Sequence, residues 1–377
     1  MLLAVAFGWF LSISVRMIYP ALLPFLRDAY GLSLTAAGLL LTVLWMAYAA
    51  GQLPGGILAD WAGERLVLVA SSALAAAMLS LVVLADSTAV LFGATALFGL
   101  GTALYGVSRF TVLERIYPDQ LGTATGVTMA AGDVGNSLMP PAAGFVAAAI
   151  AWQVGFGFAV PLFAVAAGLL WTTLPARSGS RPSLRGSIDL GDVRSTLSGP
   201  IVFRGTVLLV LWGVVIQAFI GFYPTYLIDE KGLSSAAATL LFGFFFALGI
   251  LMKPIAGRAY DGVGVRTPVL VITLTAGVAL ATLPFVDGLV PLLLVTVLAG
   301  SLLGFETIMI ADLTGRLPAG TRGTNLGALR TVYIALGAAS PVVFGAIADR
   351  GFFDEAFLGT AAIAGVVALV VLVSVDY

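Results

Sequence analysis

The stretch Gly56-Ile-Leu-Ala-Asp60-Trp-Ala-Gly63-Glu-Arg65 recurs 201 residues later as Gly257-Arg-Ala-Tyr-Asp261-Gly-Val-Gly264-Val-Arg266. Glycine, aspartate, glycine and arginine keep the same spacing in both copies, and each copy interrupts a mostly apolar sequence. A repeat at this distance in a chain of 377 residues indicates a unit that was duplicated and joined.

The 201-residue offset recurs well outside these two turns. The residues that repeat at this offset are Gly31, Leu32 and Ser33 with Gly232, Leu233 and Ser234; Arg115 with Arg316; Gly122, Thr123 and Gly126 with Gly323, Thr324 and Gly327; and Pro140 and Gly144 with Pro341 and Gly345. The two halves are therefore expected to share one orientation, as parallel repeats do in some transporters.

The composition points to lipid as the solvent of this chain. Hydrophobic residues make up 60% of the sequence and charged residues 10%, whereas a soluble domain carries roughly 25% charged residues. A spanning helix needs about 20 apolar residues. Segments of that kind are predicted near 2–25, 34–58, 66–85, 88–112, 121–149, 153–174, 203–227, 234–257, 267–286, 290–311, 324–348 and 356–375.

These twelve segments predict an all-α membrane protein of two six-helix bundles, 1–175 and 202–377, joined by a polar cytoplasmic linker at 176–201. Most loop arginines fall on one side of the predicted membrane, which predicts cytoplasmic N- and C-termini. Met1 opens directly into an apolar run, which we interpret as the first span of a plasma-membrane protein rather than a signal peptide.

The turn residues and their spacing resemble the loop signature of the major facilitator superfamily, Gly-x-x-x-Asp-x-x-Gly-x-Arg. The resemblance implies a twelve-span fold and a cytoplasmic gate, in which Arg115 would pair with Asp60 and Arg316 with Asp261 when that side is closed. The alternative is a turn that only connects two helices. The expected gating residues are Gly56, Asp60, Gly63, Arg65 and Arg115, with Gly257, Asp261, Gly264, Arg266 and Arg316 in the second copy.

Two further resemblances are local. The fifth segment has part of an antiporter pattern of this superfamily, although Met139 and Ala143 replace two of its glycines. We favour helix packing as the explanation of this glycine-rich segment. The stretch from Tyr48 to Arg65, with Arg16 in the first segment, resembles the organic-anion branch, including anion:cation symporters.

Charged residues inside the predicted spans are candidates for function, because each costs roughly 2.5–3.5 kcal/mol in a bilayer. Arg16 could bind a carboxylate by paired hydrogen bonds, or it could pair permanently with Asp133 or Glu306. These two acids could carry a coupling proton or form structural ion pairs. Arg109 could pair with Asp133 and Arg330 with Glu306, in which case Arg16 is left for the solute.

Uncharged polar side chains in the spans could complete a solute-binding site or could serve in packing. Together with Arg16, Arg109 and Arg330, the candidates are Tyr19, Tyr48, Gln52, Tyr105, Asn136, Gln217, Tyr223 and Tyr333.

Absent motifs narrow the functional class. The chain has no cysteine or histidine and no phosphate-binding loop, so we expect neither a metal centre, a cofactor nor enzymatic or ATP-driven activity. Its net charge of −1 gives no basis for nucleic-acid binding. The preferred hypothesis is a monomeric secondary transporter of a small solute, favoured to be an organic anion, with a proton or another coupling ion. The alternatives are a proton-coupled exporter of drugs or metabolites and a transporter-like sensor.

Overall fold

The computed structural model describes residues 1–176, 198–317 and 322–373, and in these ranges the regular elements are helical. Their α-helices are Leu2–Tyr30 (α1), Leu34–Ala62 (α2), Glu64–Val83 (α3), Thr88–Ile116 (α4), Leu121–Ala149 (α5), Trp152–Gly157 (α6), Ala159–Thr173 (α7), Pro200–Asp229 (α8), Ser235–Val263 (α9), Arg266–Thr282 (α10), Leu289–Ala299 (α11), Leu302–Arg316 (α12), Arg322–Gly337 (α13), Ser340–Ala348 (α14) and Phe353–Val373 (α15). Short 3-10 turns occupy Pro118–Gln120 and Leu283–Phe285.

The helices confirm the predicted all-α fold. Within the described ranges, 11 helical segments are long and apolar enough to cross a membrane. Three of them combine consecutive helices, namely α6 with α7, α11 with α12, and α13 with α14. The helix α5 has 29 residues but is absent from that set, because Asp133, Asn136 and several glycines lower its hydropathy. The side of the membrane on which the termini lie stays a prediction.

The chain divides into two compact units. In described residues, the first unit contains 1–32 and 43–176, and the second contains 33–42, 198–317 and 322–373. The division therefore falls within α2, a feature that the sequence did not predict. Most of the predicted linker, 177–197, lies outside the described residues.

Each unit has its own helix packing. In the first unit α1 packs along α5, and α3 packs against α4 and α7. In the second unit α10 packs against α15, α13 against α8, and α9 against α12.

The duplication is visible in the backbone at the helix ends. Gly31 and Gly232 have φ values of 62° and 65°, and Gly63 and Gly264 have values of 90° and 77°. Glycine adopts such positive φ angles at no steric cost, so it ends a helix readily. The repeated motifs therefore specify where corresponding helices stop.

Glycines on α5 differ in what surrounds them. A Cβ on Gly135 would lie 2.9 Å from the Phe10 carbonyl oxygen and 3.0 Å from the Ser14 Cβ. Gly126, nine residues earlier on α5, has nothing within 4 Å of such a Cβ. The close approach of α1 and α5 thus depends on Gly135 and does not depend on Gly126.

We predict that Gly135→Ala destabilises the protein by about 1–3 kcal/mol, because the added methyl group forces α1 and α5 apart. The matched change Gly126→Ala should leave stability unchanged or raise it, since alanine favours a helix. Thermal unfolding in detergent measures both effects. Equal melting temperatures for the two variants would contradict this account.

Candidate solute-binding site and gate

Arg16 lies at the midpoint of α1 and is 1% exposed. Its Nε donates a hydrogen bond to the Ser12 carbonyl oxygen at 2.9 Å. Its guanidinium carbon lies 3.7 Å from the ring centroid of Tyr48 and 5.0 Å from that of Trp45, both on α2. Rings attract a cation without cancelling its formal charge. Arg16 is therefore a buried cation whose guanidinium lies against Tyr48, one of the two predicted site residues of α2.

Arg109 on α4 is a second deeply buried arginine, 2% exposed. Its guanidinium carbon lies 3.2 Å from the Trp9 ring centroid, and its Nη1 donates to the Gly106 carbonyl oxygen at 2.7 Å. Its Nη2 contacts the Met129 sulfur on α5 at 3.7 Å. The predicted pair with Asp133, a half-buried residue of α5, stays a prediction.

Two of the predicted solute-binding tyrosines contribute to packing in the first unit. Tyr105 donates its hydroxyl to the Val5 carbonyl oxygen at 2.8 Å, which joins α4 to α1. The Tyr19 ring lies 5.9 Å from that of Phe98 and 4.8 Å from that of Phe156. Because both tyrosines are fully buried, these contacts give each a structural role. Their part in solute binding stays a prediction.

In the second unit, the structure brings together two residues predicted for different roles. The Tyr333 hydroxyl on α13 donates to Glu306 Oε1 on α12 at 2.5 Å. Tyr223 on α8 shares a hydrogen bond with Thr296. Glu306 and Tyr333 thus form one polar pair within a mostly apolar unit.

The remaining predicted site residues differ in burial. Asn136 on α5 is buried, and Gln217 on α8 and Arg330 on α13 are half-buried. The predicted pair of Arg330 with Glu306 stays a prediction.

The first copy of the turn contains an ion pair that the sequence reasoning missed. Arg115 Nη2 on α4 lies 3.3 Å from Glu64 Oε2, in the first turn of α3. The Arg65 guanidinium lies over the Trp171 ring at 4.3 Å. The Asp60 side chain lies outside the part of the chain that the structure describes, so its predicted pair with Arg115 stays a prediction.

The second copy pairs its arginine differently. Arg316 binds Asp312 on its own helix, with Nε–Oδ2 and Nη2–Oδ1 distances of 2.8 Å and 3.1 Å. Tyr260 on α9 also donates to Asp312, at 3.4 Å. Arg266 donates to the Leu372 carbonyl oxygen, which joins α10 to α15. The predicted pair of Arg316 with Asp261 stays a prediction.

The sequence contains a signal for these different pairings. Val265 stands at the position that corresponds to Glu64, and Thr111 stands at the position that corresponds to Asp312. Both copies therefore keep the arginine, but the acid that pairs with it lies on a neighbouring helix in the first copy and on the same helix in the second. Comparing the acids that do not repeat, as well as the residues that do, would have marked Glu64 and Asp312 as candidate partners.

The 11 apolar helical segments of the described ranges define a multi-pass membrane protein. Residues 5–341 match the model of the Major Facilitator Superfamily, and the chain belongs to that family. It is thus an integral multi-pass membrane protein of a transporter family and not an enzyme.

Two relatives share low identity with this chain. The hexuronate transporter of Bacillus subtilis (strain 168) is 23% identical over 65% of this chain and 60% of its own length. The probable sulfoacetate transporter SauU of Cupriavidus necator is 24% identical over 92% of this chain and 86% of its own length. The chain thus matches less than two thirds of the first relative and most of the second.

Solved structures confirm the fold. The nucleoside transporter NupG matches with a TM-score of 0.80 and 15% identity, over 100% of this chain and 99% of its own. A bacterial homolog of the human lysosomal transporter Spinster matches with a TM-score of 0.83 and 16% identity, over 98% and 95% of the two chains. At these identities the similarity concerns the fold alone.

We predict that Glu64 and Arg115 stabilise each other by about 0.5–1 kcal/mol, because the pair is partly buried and joins two helices. A double-mutant cycle with Glu64→Gln and Arg115→Gln, measured by unfolding in detergent, gives this coupling energy. Asp312→Asn with Arg316→Gln is the matched cycle in the second copy. Additive effects of Glu64→Gln and Arg115→Gln would show that their ion pair contributes nothing.

Proposed function

We propose that this protein is a secondary active transporter of a small organic anion, which works by alternating access and is coupled to a proton or another ion. The observation that carries the proposal is Arg16, a nearly fully buried cation at the middle of a spanning helix. Such a charge is costly in a bilayer, and intramembrane charges commonly mark solute or ion pathways.

The surroundings of Arg16 suit an anion. The Ser12 carbonyl and the rings of Tyr48 and Trp45 hold the guanidinium in place. Because a fixed guanidinium presents paired N–H donors, it matches the geometry of a carboxylate or a sulfonate.

The names of the two relatives support the same class of solute. Hexuronate is a sugar carboxylate, and sulfoacetate carries a carboxylate and a sulfonate. A guanidinium can bind either group. We therefore propose carboxylates and sulfonates of this size as the first solutes to test.

Glu306 is the proposed proton-coupling residue of the second unit, and Asp133 is the candidate in the first unit, although the two do not correspond in the repeat. The Tyr333 hydroxyl donates a hydrogen bond to Glu306, so this acid has a polar partner inside a spanning segment. A proton-coupled exporter of cationic compounds is the second candidate function for this protein. That function needs an acid within the membrane, and Glu306 could supply it.

We predict that Arg16→Ala lowers uptake of the transported anion by roughly 10- to 100-fold, because a charge-assisted hydrogen bond is lost. Arg16→Lys keeps the charge but loses the paired donors and should fall between wild type and Arg16→Ala. The measurement is uptake of labelled glucuronate, galacturonate, sulfoacetate and tetraphenylphosphonium into proteoliposomes. Arg27→Ala, which removes a charge about 16 Å further along α1, is the matched control.

Saturable transport of the cation alone, with no effect of Arg16→Ala, would overturn the anion proposal and favour the exporter.

We predict that Glu306→Gln abolishes uptake driven by a pH gradient but retains exchange of solute without a gradient. The amide can still accept the Tyr333 hydrogen bond but cannot take up a proton at neutral pH. Paired assays of gradient-driven uptake and solute exchange separate these steps. Glu230→Gln, at the exposed end of α8, controls for loss of one charge. Normal gradient-driven uptake in Glu306→Gln would contradict the assignment.

A further inference from the structure

The start of α2 is capped by a carboxylate that lies more than 300 residues away in the sequence. The backbone N–H groups of Leu34 and Thr35 donate to Asp349 Oδ1 and Oδ2 at 2.6 Å and 2.7 Å. The Thr35 hydroxyl also donates to Oδ2. Asp349 directly follows α14, so this cap ties α2 to that helix. First-turn N–H groups lack partners within their own helix, and a negative charge there is favourable.

The cap lowers the pKa of Asp349, which is charged at neutral pH. Partial burial raises the pKa of its carboxyl group. Hydrogen bonds from Thr35, Ser33 and the Leu34 amide lower this pKa by more than burial raises it, so the pKa lies below its usual range. The contact is therefore between an anion and the positive end of a helix.

Below the cap, α2 and α14 touch backbone to backbone. A Cβ on Gly38 would lie 2.1 Å from the Pro341 carbonyl oxygen, and a Cβ on Gly345 would lie 2.2 Å from the Leu34 carbonyl oxygen. The Val342 amide donates to the Thr42 hydroxyl at 3.3 Å. We call this contact of residues 33–42 with 341–349 the α2–α14 contact. Its close fit explains why residues 33–42 belong to the second unit.

The capping acid is absent from the other copy of the repeat. Pro341 and Gly345 have counterparts in Pro140 and Gly144, but Ala148 stands where the counterpart of Asp349 would be. The counterpart of α2 is α9. Its first turn is capped by Ser234, whose side-chain oxygen accepts a hydrogen bond from the Ala237 amide. Because α9 forms without an acid, the carboxylate is not needed to start such a helix.

We propose that the Asp349 carboxylate is a releasable cap, which holds residues 33–42 of α2 on the second unit in one state of the transport cycle and lets them go in another. The proposal rests on alternating access, as proposed above, but not on the identity of the solute. Beyond Thr42, α2 continues into the first unit, where Trp45 and Tyr48 lie over Arg16. Asp349 is thus a positioning residue, because a shift of α2 would also move the rings that hold Arg16.

The absence of cysteine from the chain permits a direct test. Ala37 is 0% exposed and shares a helical face with Leu34, Gly38 and Leu41. A thiol introduced by Ala37→Cys should react with N-ethylmaleimide only while the α2–α14 contact is open. Alkylation is measured in nanodiscs without solute, so the result does not depend on the proposed anion.

In the Ala37→Cys background, Asp349→Ala should speed alkylation roughly fivefold, as expected for a lost helix cap. Asp349→Asn should give a smaller increase, because one acceptor oxygen remains. Glu355→Gln removes an exposed charge six residues away and should have no effect.

A second thiol separates release of α2 from general unfolding. Ala364 on α15 is also 0% exposed. The thiol introduced by Ala364→Cys should be equally unreactive whether Asp349 is present or replaced by Asp349→Ala. The releasable cap is supported if Asp349→Ala speeds alkylation in the Ala37→Cys background and not in the Ala364→Cys background. Equal rates with and without Asp349, or acceleration at both thiols, would overturn it.

Discussion

A bilayer offers no water to backbone N–H and C=O groups, so a chain that spans it must satisfy them internally. In this protein the described ranges do so with α-helices, and polar side chains are left for the helix ends and a few interior positions. This constraint makes each buried charge informative. Arg16 and Arg109 are held by carbonyl oxygens and aromatic rings, which reduces the cost of burying them.

Duplication supplied the helices and their ends, and later divergence supplied the contacts that differ. The arginines Arg115 and Arg316 occupy corresponding positions, yet one binds an acid on a neighbouring helix and the other binds an acid on its own helix. The Asp349 cap has only an alanine, Ala148, as its counterpart. Two halves with equal folds can therefore contribute unequal energies to a transport cycle, which a strictly symmetric protein could not do.

The sequence predicted the helices and the repeat because both follow from apolar length and from glycines that need positive φ, such as Gly31 and Gly232. It predicted Arg16 and Glu306 as candidates because charge in an apolar segment is visible without a structure. It did not predict the partners. Whether Arg115 binds Glu64 or Asp60 depends on side-chain directions that spacing does not specify.

The same limit explains the roles of the tyrosines and the cap. Tyr105 and Tyr333 look alike in the sequence, but one binds a backbone carbonyl and the other binds Glu306. The Asp349 cap joins residues that are far apart in the chain, and only the packing of α2 on α14 brings them together. Sequence therefore specified the elements and the candidate charges, whereas tertiary packing decided which charge each one meets.

The polarity of α5 has a consequence for the synthesis of the protein in the cell. Helices enter the bilayer one after another as the chain is made, and each is helped by its own hydropathy. Because α5 carries Asp133 and Asn136 and is less apolar than the other spans, it gains less from lipid alone. Its extensive packing with α1, which has already emerged by then, offers an alternative environment. We therefore expect insertion of α5 to be assisted by α1, so that a substitution at their contact would reduce the yield of inserted protein as well as its stability.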